Sequence, residues 1–137
     1  ALEHLHERLV VFRDLKMENV VIDVDGYAKL CDFGMAACFA KEGERAYTVC
    51  GTLGYMAPEV ATGGGYSFPA DWYCLGVFIH ELMVGEGPFF APDPAAMREK
   101  AGRGIDAVPM PADRPWSGLV CGLCRPEPAE RLPVMEG

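Results

Sequence analysis

The chain has 137 residues, half of them apolar and 23% charged, the balance of a single globular domain, which excludes wholesale disorder. Its 20 acidic residues against 12 basic ones leave a net charge of −8. That excess argues against partnership with nucleic acid or with an anionic membrane and favours basic partners or substrates.

Residues 1–8 (ALEHLHER) read as the tail of a helix, with Leu2, Leu5 and Leu9 on one stripe and with His4 and His6 isolated and exposed. They lack the apolar run of a secretory leader. Val10 to Asp14 is short and apolar, then turns polar. Val20–Ile22 and Tyr27–Leu30 read as two strands, and Asp23-Val24-Asp25-Gly26 between them is a hairpin turn rather than a calcium loop. Cys31 to Pro69 is rich in glycine and small residues and has little periodicity, so it reads as one long ordered loop. Ala70 to Val84 is apolar nearly all round and predicts a buried central helix, with Gly85 to end it. Asp93-Pro94 opens a short helix to about Lys100, Trp116 to Cys124 predicts another, and Arg125 to Pro133 is a Pro-punctuated turn. The apolar stretch Trp72 to Ile79 falls far short of the roughly 20 residues that span a bilayer. Six cysteines scattered among apolar residues read as free thiols in a reducing, cytoplasmic setting. Cys50 is expected to be buried and inert, and Cys121-Gly122-Leu123-Cys124 lacks the second ligand pair a zinc site needs.

Four short strings carry the chemistry. Arg13-Asp14-Leu15-Lys16-Met17-Glu18-Asn19 comes first, and Asp32-Phe33-Gly34 begins 13 positions after Asn19. Ala57-Pro58-Glu59 ends 27 positions after Asp32, and Asp71-Trp72-Tyr73-Cys74-Leu75-Gly76 starts 12 positions after Glu59. In this order and spacing they resemble the catalytic loop, metal-binding motif, Ala-Pro-Glu motif and central helix of the protein kinases.

The resemblance implies a fold and a set of roles. The fold is mainly α: the large C-terminal lobe of a kinase, with a short β-hairpin beside the catalytic loop and no N-terminal lobe within residues 1–137. The catalytic loop is 12–19, the activation segment 32–59 and the central helix about 70–84. Phosphoryl transfer needs positioning and the stabilisation of spread-out negative charge. Asp14 would accept the proton of the attacking hydroxyl, and Lys16 would neutralise charge on the transferring group. Asn19 and Asp32, at the two ends of the hairpin, would hold Mg2+ and through it ATP, with Val21 beneath the adenine. Asp-Leu-Lys at 14–16 resembles the serine/threonine kinases.

Phosphate on Thr48, placed there by an upstream kinase or by the protein itself, would draw charge-assisted hydrogen bonds from Arg13 and order the loop. Thr52 would contact Asp14 and Lys16. Val49, Leu53 and Met56 would line a pocket for the residue after the phosphorylated one. Glu59 would pair with Arg131, and Asp71 would accept backbone N–H groups of the catalytic loop.

Gly26-Tyr27-Ala28-Lys29-Leu30, Ala91-Pro92-Asp93-Pro94, Arg103-Gly104-Ile105-Asp106 and Glu130-Arg131-Leu132 are similar to the cGMP-dependent branch. In that branch Glu18 and Glu81 would recognise an Arg ahead of the acceptor, so substrates would be proteins with basic motifs. Phe12, Met17, Cys74 and Leu53-Gly54 depart from the usual residues without removing an acid, base or metal ligand. A Gly-rich loop, an ATP-anchoring strand Lys and its Glu partner have no counterpart in these residues. The isolated fragment is therefore expected to be inactive. The competing reading is a non-catalytic kinase-like binding module.

Overall fold

The computed structural model describes residues 1–132. It is mainly α, with five helices and two two-stranded sheets among the described residues. Helix α1 (Leu2–His6) leads into strand β1 (Val10–Val11) and the catalytic-loop segment. Strands β2 (Val20–Ile22) and β3 (Ala28–Leu30) pair antiparallel, with Val20 opposite Leu30 and Ile22 opposite Ala28. The turn between them closes on Asp23, whose Oδ1 accepts the N–H groups of Asp25 and Tyr27, both at 2.9 Å.

The stretch from Cys31 to Pro69 holds more regular structure than its composition suggests. Strand β4 (Ala37–Cys38) pairs antiparallel with β1, a 3-10 turn spans Leu53–Tyr55, and helix α2 covers Pro58–Ala61. Elements of two to four residues are too short to impose a periodicity on the sequence.

Helix α3 (Pro69–Val84) is the axis of the core. Pro69 opens it, and Gly85, at φ +88°, ends it by donating its N–H to Glu81. Tyr73, Cys74 and Val77 are buried against Phe12, Tyr55, Phe89 and helix α5 (Pro115–Leu123). At Gly76 the helices come so close that a Cβ would stand 2.5 Å from Cys124 Sγ. The expected all-round burial of α3 is not found. Trp72, Leu75 and Phe78 line an open apolar groove with Leu2, Leu15 and Val20, and Leu82, Met83 and Val84 are exposed. A helix apolar on every side is covered only where another element reaches it, and among the described residues none packs over this face.

Helix α4 (Pro94–Arg103) starts on Asp93, whose Oδ1 caps the N–H groups of Ala95 and Ala96 at 3.0 and 2.9 Å. It packs on the Leu53–Tyr55 turn and so braces the end of the activation segment.

Candidate active site

Asp71, wholly buried at the start of α3, is the post on which the catalytic loop hangs. Its Oδ2 accepts the N–H of Phe12 and its Oδ1 that of Arg13, each at 2.8 Å. The third partner is His6, whose Nε2 donates to Oδ2 at 2.8 Å. His6 is thus buried, not exposed as its surroundings in sequence suggest: α1 turns it inward between Phe68 and Trp72. Arg13 is held at φ +72°, a left-handed conformation that a non-glycine residue adopts only when its neighbours insist on it. Asp71 insists from one side. From the other, Gly51 (φ +106°) passes so close that a Cβ would stand 2.7 Å from the Arg13 carbonyl oxygen.

The loop delivers Asp14 into a cluster of four side chains. Thr52 donates its hydroxyl to Asp14 Oδ1 at 2.8 Å, and Lys16 Nζ donates to the Thr52 hydroxyl at 3.1 Å. Lys16 Nζ also lies 3.1 Å from Asp14 Oδ2. Asn19 donates its amide to the Asp14 carbonyl at 2.8 Å and to Oδ2 at 3.1 Å. The three side-chain partners fix the orientation of the carboxylate, in a nearly buried position beside a cation.

Asn19 and Asp32 are brought together by the hairpin. The Cys31 N–H donates to the Asn19 carbonyl at 2.9 Å, which ties one residue to the neighbour of the other. Asn19 commits its side-chain NH2 to Asp14, which leaves its amide oxygen as a free acceptor among the described residues. Asp32 is exposed and sits at φ +62°, steadied by the Gly34 N–H on its Oδ1 at 3.1 Å. An all-oxygen pair, one neutral and one anionic, suits magnesium. Phe33 meets the buried Phe12 ring edge to face, with centroids 5.2 Å apart. Val21, on β2 opposite Lys29, is half exposed.

The activation segment is anchored at several points. Glu59 and Arg131 form a two-pronged pair, Oε1 to Nη1 at 2.7 Å and Oε2 to Nη2 at 3.1 Å. Arg131, 1% exposed, also donates to the carbonyls of Pro69, Arg125 and Pro126 and stacks over Tyr73. Thr48 is exposed, and its carbonyl accepts the Tyr66 hydroxyl at 2.7 Å. Arg13 Nη1 donates to that same hydroxyl at 3.2 Å. Cys50 is half-buried rather than buried and inert, with Sγ 3.6 Å from the Tyr66 oxygen.

Glu81 feels the like charge of Glu18: burial first, and then the Glu18 charge, push its carboxyl above the usual range. Tyr55 donates its hydroxyl to Glu81 Oε2 and accepts the Met17 N–H at 3.4 Å, which joins α3 to the catalytic loop. Val49, Leu53 and Met56 differ in exposure, with Leu53 half-buried. Val49 is exposed, while Met56 turns inward and lines a small internal cavity with Cys50, Val60 and Cys74.

Tyr55 and Tyr66 belong to none of the four motifs, yet both hold the site together. The two tyrosines each follow a glycine in a stretch of small residues (Gly54-Tyr55, Gly65-Tyr66), and a large side chain with one hydroxyl in such a stretch is its natural anchor.

Residues 1–136 match the protein kinase domain family. The chain is 42% identical over 139 residues to the cGMP-dependent protein kinase, isozyme 2 forms cD5/T2, of Drosophila melanogaster, covering all of this chain and 15% of that protein. It is 39% identical over 134 residues to cGMP-dependent protein kinase 2 of Rattus norvegicus, covering 96% of this chain and 18% of that protein. It is also 39% identical over 132 residues to the serine/threonine-protein kinase YPK1 of Saccharomyces cerevisiae, covering 96% of this chain and 19% of that protein. The chain therefore spans less than one fifth of the length of these relatives.

Proposed function

Because this chain belongs to the protein kinase domain family, we propose that it supplies the catalytic loop and substrate platform of a serine/threonine kinase, most like the cGMP-dependent kinases. The reaction moves the ATP γ-phosphoryl to a Ser or Thr hydroxyl of a protein. The observation that carries the reading is the Asp14–Lys16–Thr52–Asn19 cluster.

Asp14 orients the acceptor hydroxyl and takes its proton as the oxygen bonds to the γ-phosphorus and ADP departs. Lys16, beside Asp14, stabilises charge that develops on the transferring group. Thr52 holds Asp14 and Lys16 at a fixed separation. Magnesium, which in this family accompanies ATP, would be held by Asn19 and Asp32 and would neutralise the phosphate charge there. Val21 would form the floor under the adenine. The paired carboxylates Glu18 and Glu81 suit an Arg ahead of the acceptor, and the net charge of −8 draws basic segments toward this face. Thr48, exposed next to Arg13's network, is the site at which phosphate would order the segment. Val49 and Leu53 would meet the residue after the acceptor. Free thiols at all six cysteines suit a reducing compartment such as the cytoplasm.

The test is transfer of labelled γ-phosphate to an Arg-containing peptide by the full-length protein. Asp14→Asn is expected to cost roughly 10²–10⁴ in kcat with folding intact. A loss within fivefold would refute the role of Asp14. No transfer by the unaltered protein would favour a binding module.

A further inference from the structure

We propose that the Tyr66 hydroxyl is a positioning group that holds Arg13, and through it the catalytic loop, while Thr48 carries no phosphate. The inference rests on the kinase reading above and adds a residue to it.

Arg13 stands next to Asp14 in a left-handed backbone conformation that must be held from outside. Its side chain is half-buried, and among the described residues no carboxylate pairs with it. Two neutral acceptors take its donors instead: the Met35 carbonyl receives Nε, and the Tyr66 hydroxyl receives Nη1 at 3.2 Å. A guanidinium taken partly out of water without a counter-charge depends on such bonds.

Tyr66 is well placed to serve. It is 2% exposed, so its ring is fixed by packing. Its backbone exchanges both hydrogen bonds with Ala46, at 2.8 and 2.9 Å. Its hydroxyl donates to the Thr48 carbonyl at 2.7 Å while accepting from Arg13. One residue therefore grips the activation segment at positions 46 and 48 and hands the grip to the catalytic loop. A phosphate on Thr48 would bring two negative charges and strong acceptor oxygens to the same neighbourhood and would supply Arg13 with the ionic partner it lacks. The hydroxyl is then redundant. Tyr66 is thus needed in the unphosphorylated state and dispensable in the phosphorylated one.

The experiment compares the full-length protein with its Tyr66→Phe variant, each prepared with Thr at 48 after phosphatase treatment and with phosphothreonine installed at 48 during translation. Phe keeps the ring and removes only the hydroxyl. Without phosphate, kcat for an Arg-containing peptide is expected to fall about tenfold, the loss of one hydrogen bond to a charged group, with the peptide KM within about twofold. With phosphate, kcat is expected to change less than about twofold. Amide hydrogen exchange over 12–14 and 46–50 is read on the same four samples and is expected to quicken only in the unphosphorylated variant. An equal loss in both states would overturn the proposal in favour of a purely packing role, and so would no loss in either. If the unaltered protein transfers no phosphate, the kinase reading fails. The exchange pattern then decides the positioning role by itself: quickening confined to the unphosphorylated variant upholds it, and any other pattern overturns it.

Discussion

Changing Glu59 to Gln in the full-length protein isolates the value of the ion pair that pins the end of the activation segment. The substitution keeps the side chain's shape and removes its charge. Arg131 is then left with a buried guanidinium, 1% exposed, whose acceptors are all neutral: the Gln amide oxygen and the carbonyls of Pro69, Arg125 and Pro126. These carbonyls satisfy N–H groups but do not neutralise the charge. Breaking a buried pair from one side costs roughly 3–5 kcal/mol. For a domain of kinase size, at about 2–4 °C per kcal/mol, that is a loss of at least about 6 °C in the Tm of the kinase-domain transition. Calorimetry of the full-length protein checks it. Replacing both partners together, Glu59→Leu with Arg131→Met, removes the stranded charge and is expected to cost about 1–3 kcal/mol less than the sum of the single changes. A single-variant shift under about 2 °C, or a double variant equal to the sum, would show that the pair is screened and the reasoning wrong.

Thr52→Ala is expected to lower kcat about tenfold or more, because Asp14 and Lys16 lose their shared hydroxyl, whereas Thr52→Ser restores activity to within about threefold; equal loss in both would point to the methyl group instead. Glu81, with its carboxyl raised by burial and by Glu18, binds its proton more tightly folded than unfolded. Its contribution to stability is therefore full below the ordinary Glu range and is lost as pH rises through the raised value. The same titration removes a negative charge as pH falls. The KM for a peptide with Arg ahead of the acceptor is expected to climb through that range, while a peptide with Ala there stays flat and Glu81→Gln removes the difference. Gly76→Ala is expected to cost about 1–3 kcal/mol in urea unfolding, since the added methyl meets Cys124 Sγ and Leu123 Cβ with no room to shift; a neutral result would mean that α3 and α5 can slide apart.

The proposed catalytic cluster was legible in sequence because its members lie close along the chain and follow fixed spacings. Asp14, Lys16 and Asn19 sit on one loop, and a short hairpin carries the chain from Asn19 to Asp32. The partners of Asp71 were half legible: the Phe12 and Arg13 N–H groups follow from the motif, but His6 looks like any other polar residue of a frayed helix until α1 docks on Phe68 and Trp72. The differing exposure of Val49 and Met56 was hidden for the same kind of reason. Three apolar residues in one segment do not announce which of them faces the core, and Met56 does.

The sequence by itself determined the local grammar: the hairpin around Asp23 and Gly26, the Asp93 cap, the apolar central helix and the order of the charged residues in the four motifs. Those are properties of neighbouring residues, set by backbone preference and side-chain period. Only the tertiary structure decided which distant groups share a proton or a charge. His6 lies 65 positions from Asp71, and Tyr66 lies 53 positions from Arg13, yet each pair meets within hydrogen-bond reach. No period or propensity encodes such meetings; they arise where α1 docks on the start of α3 and where the activation segment folds back over the catalytic loop, because buried polar groups must find partners there.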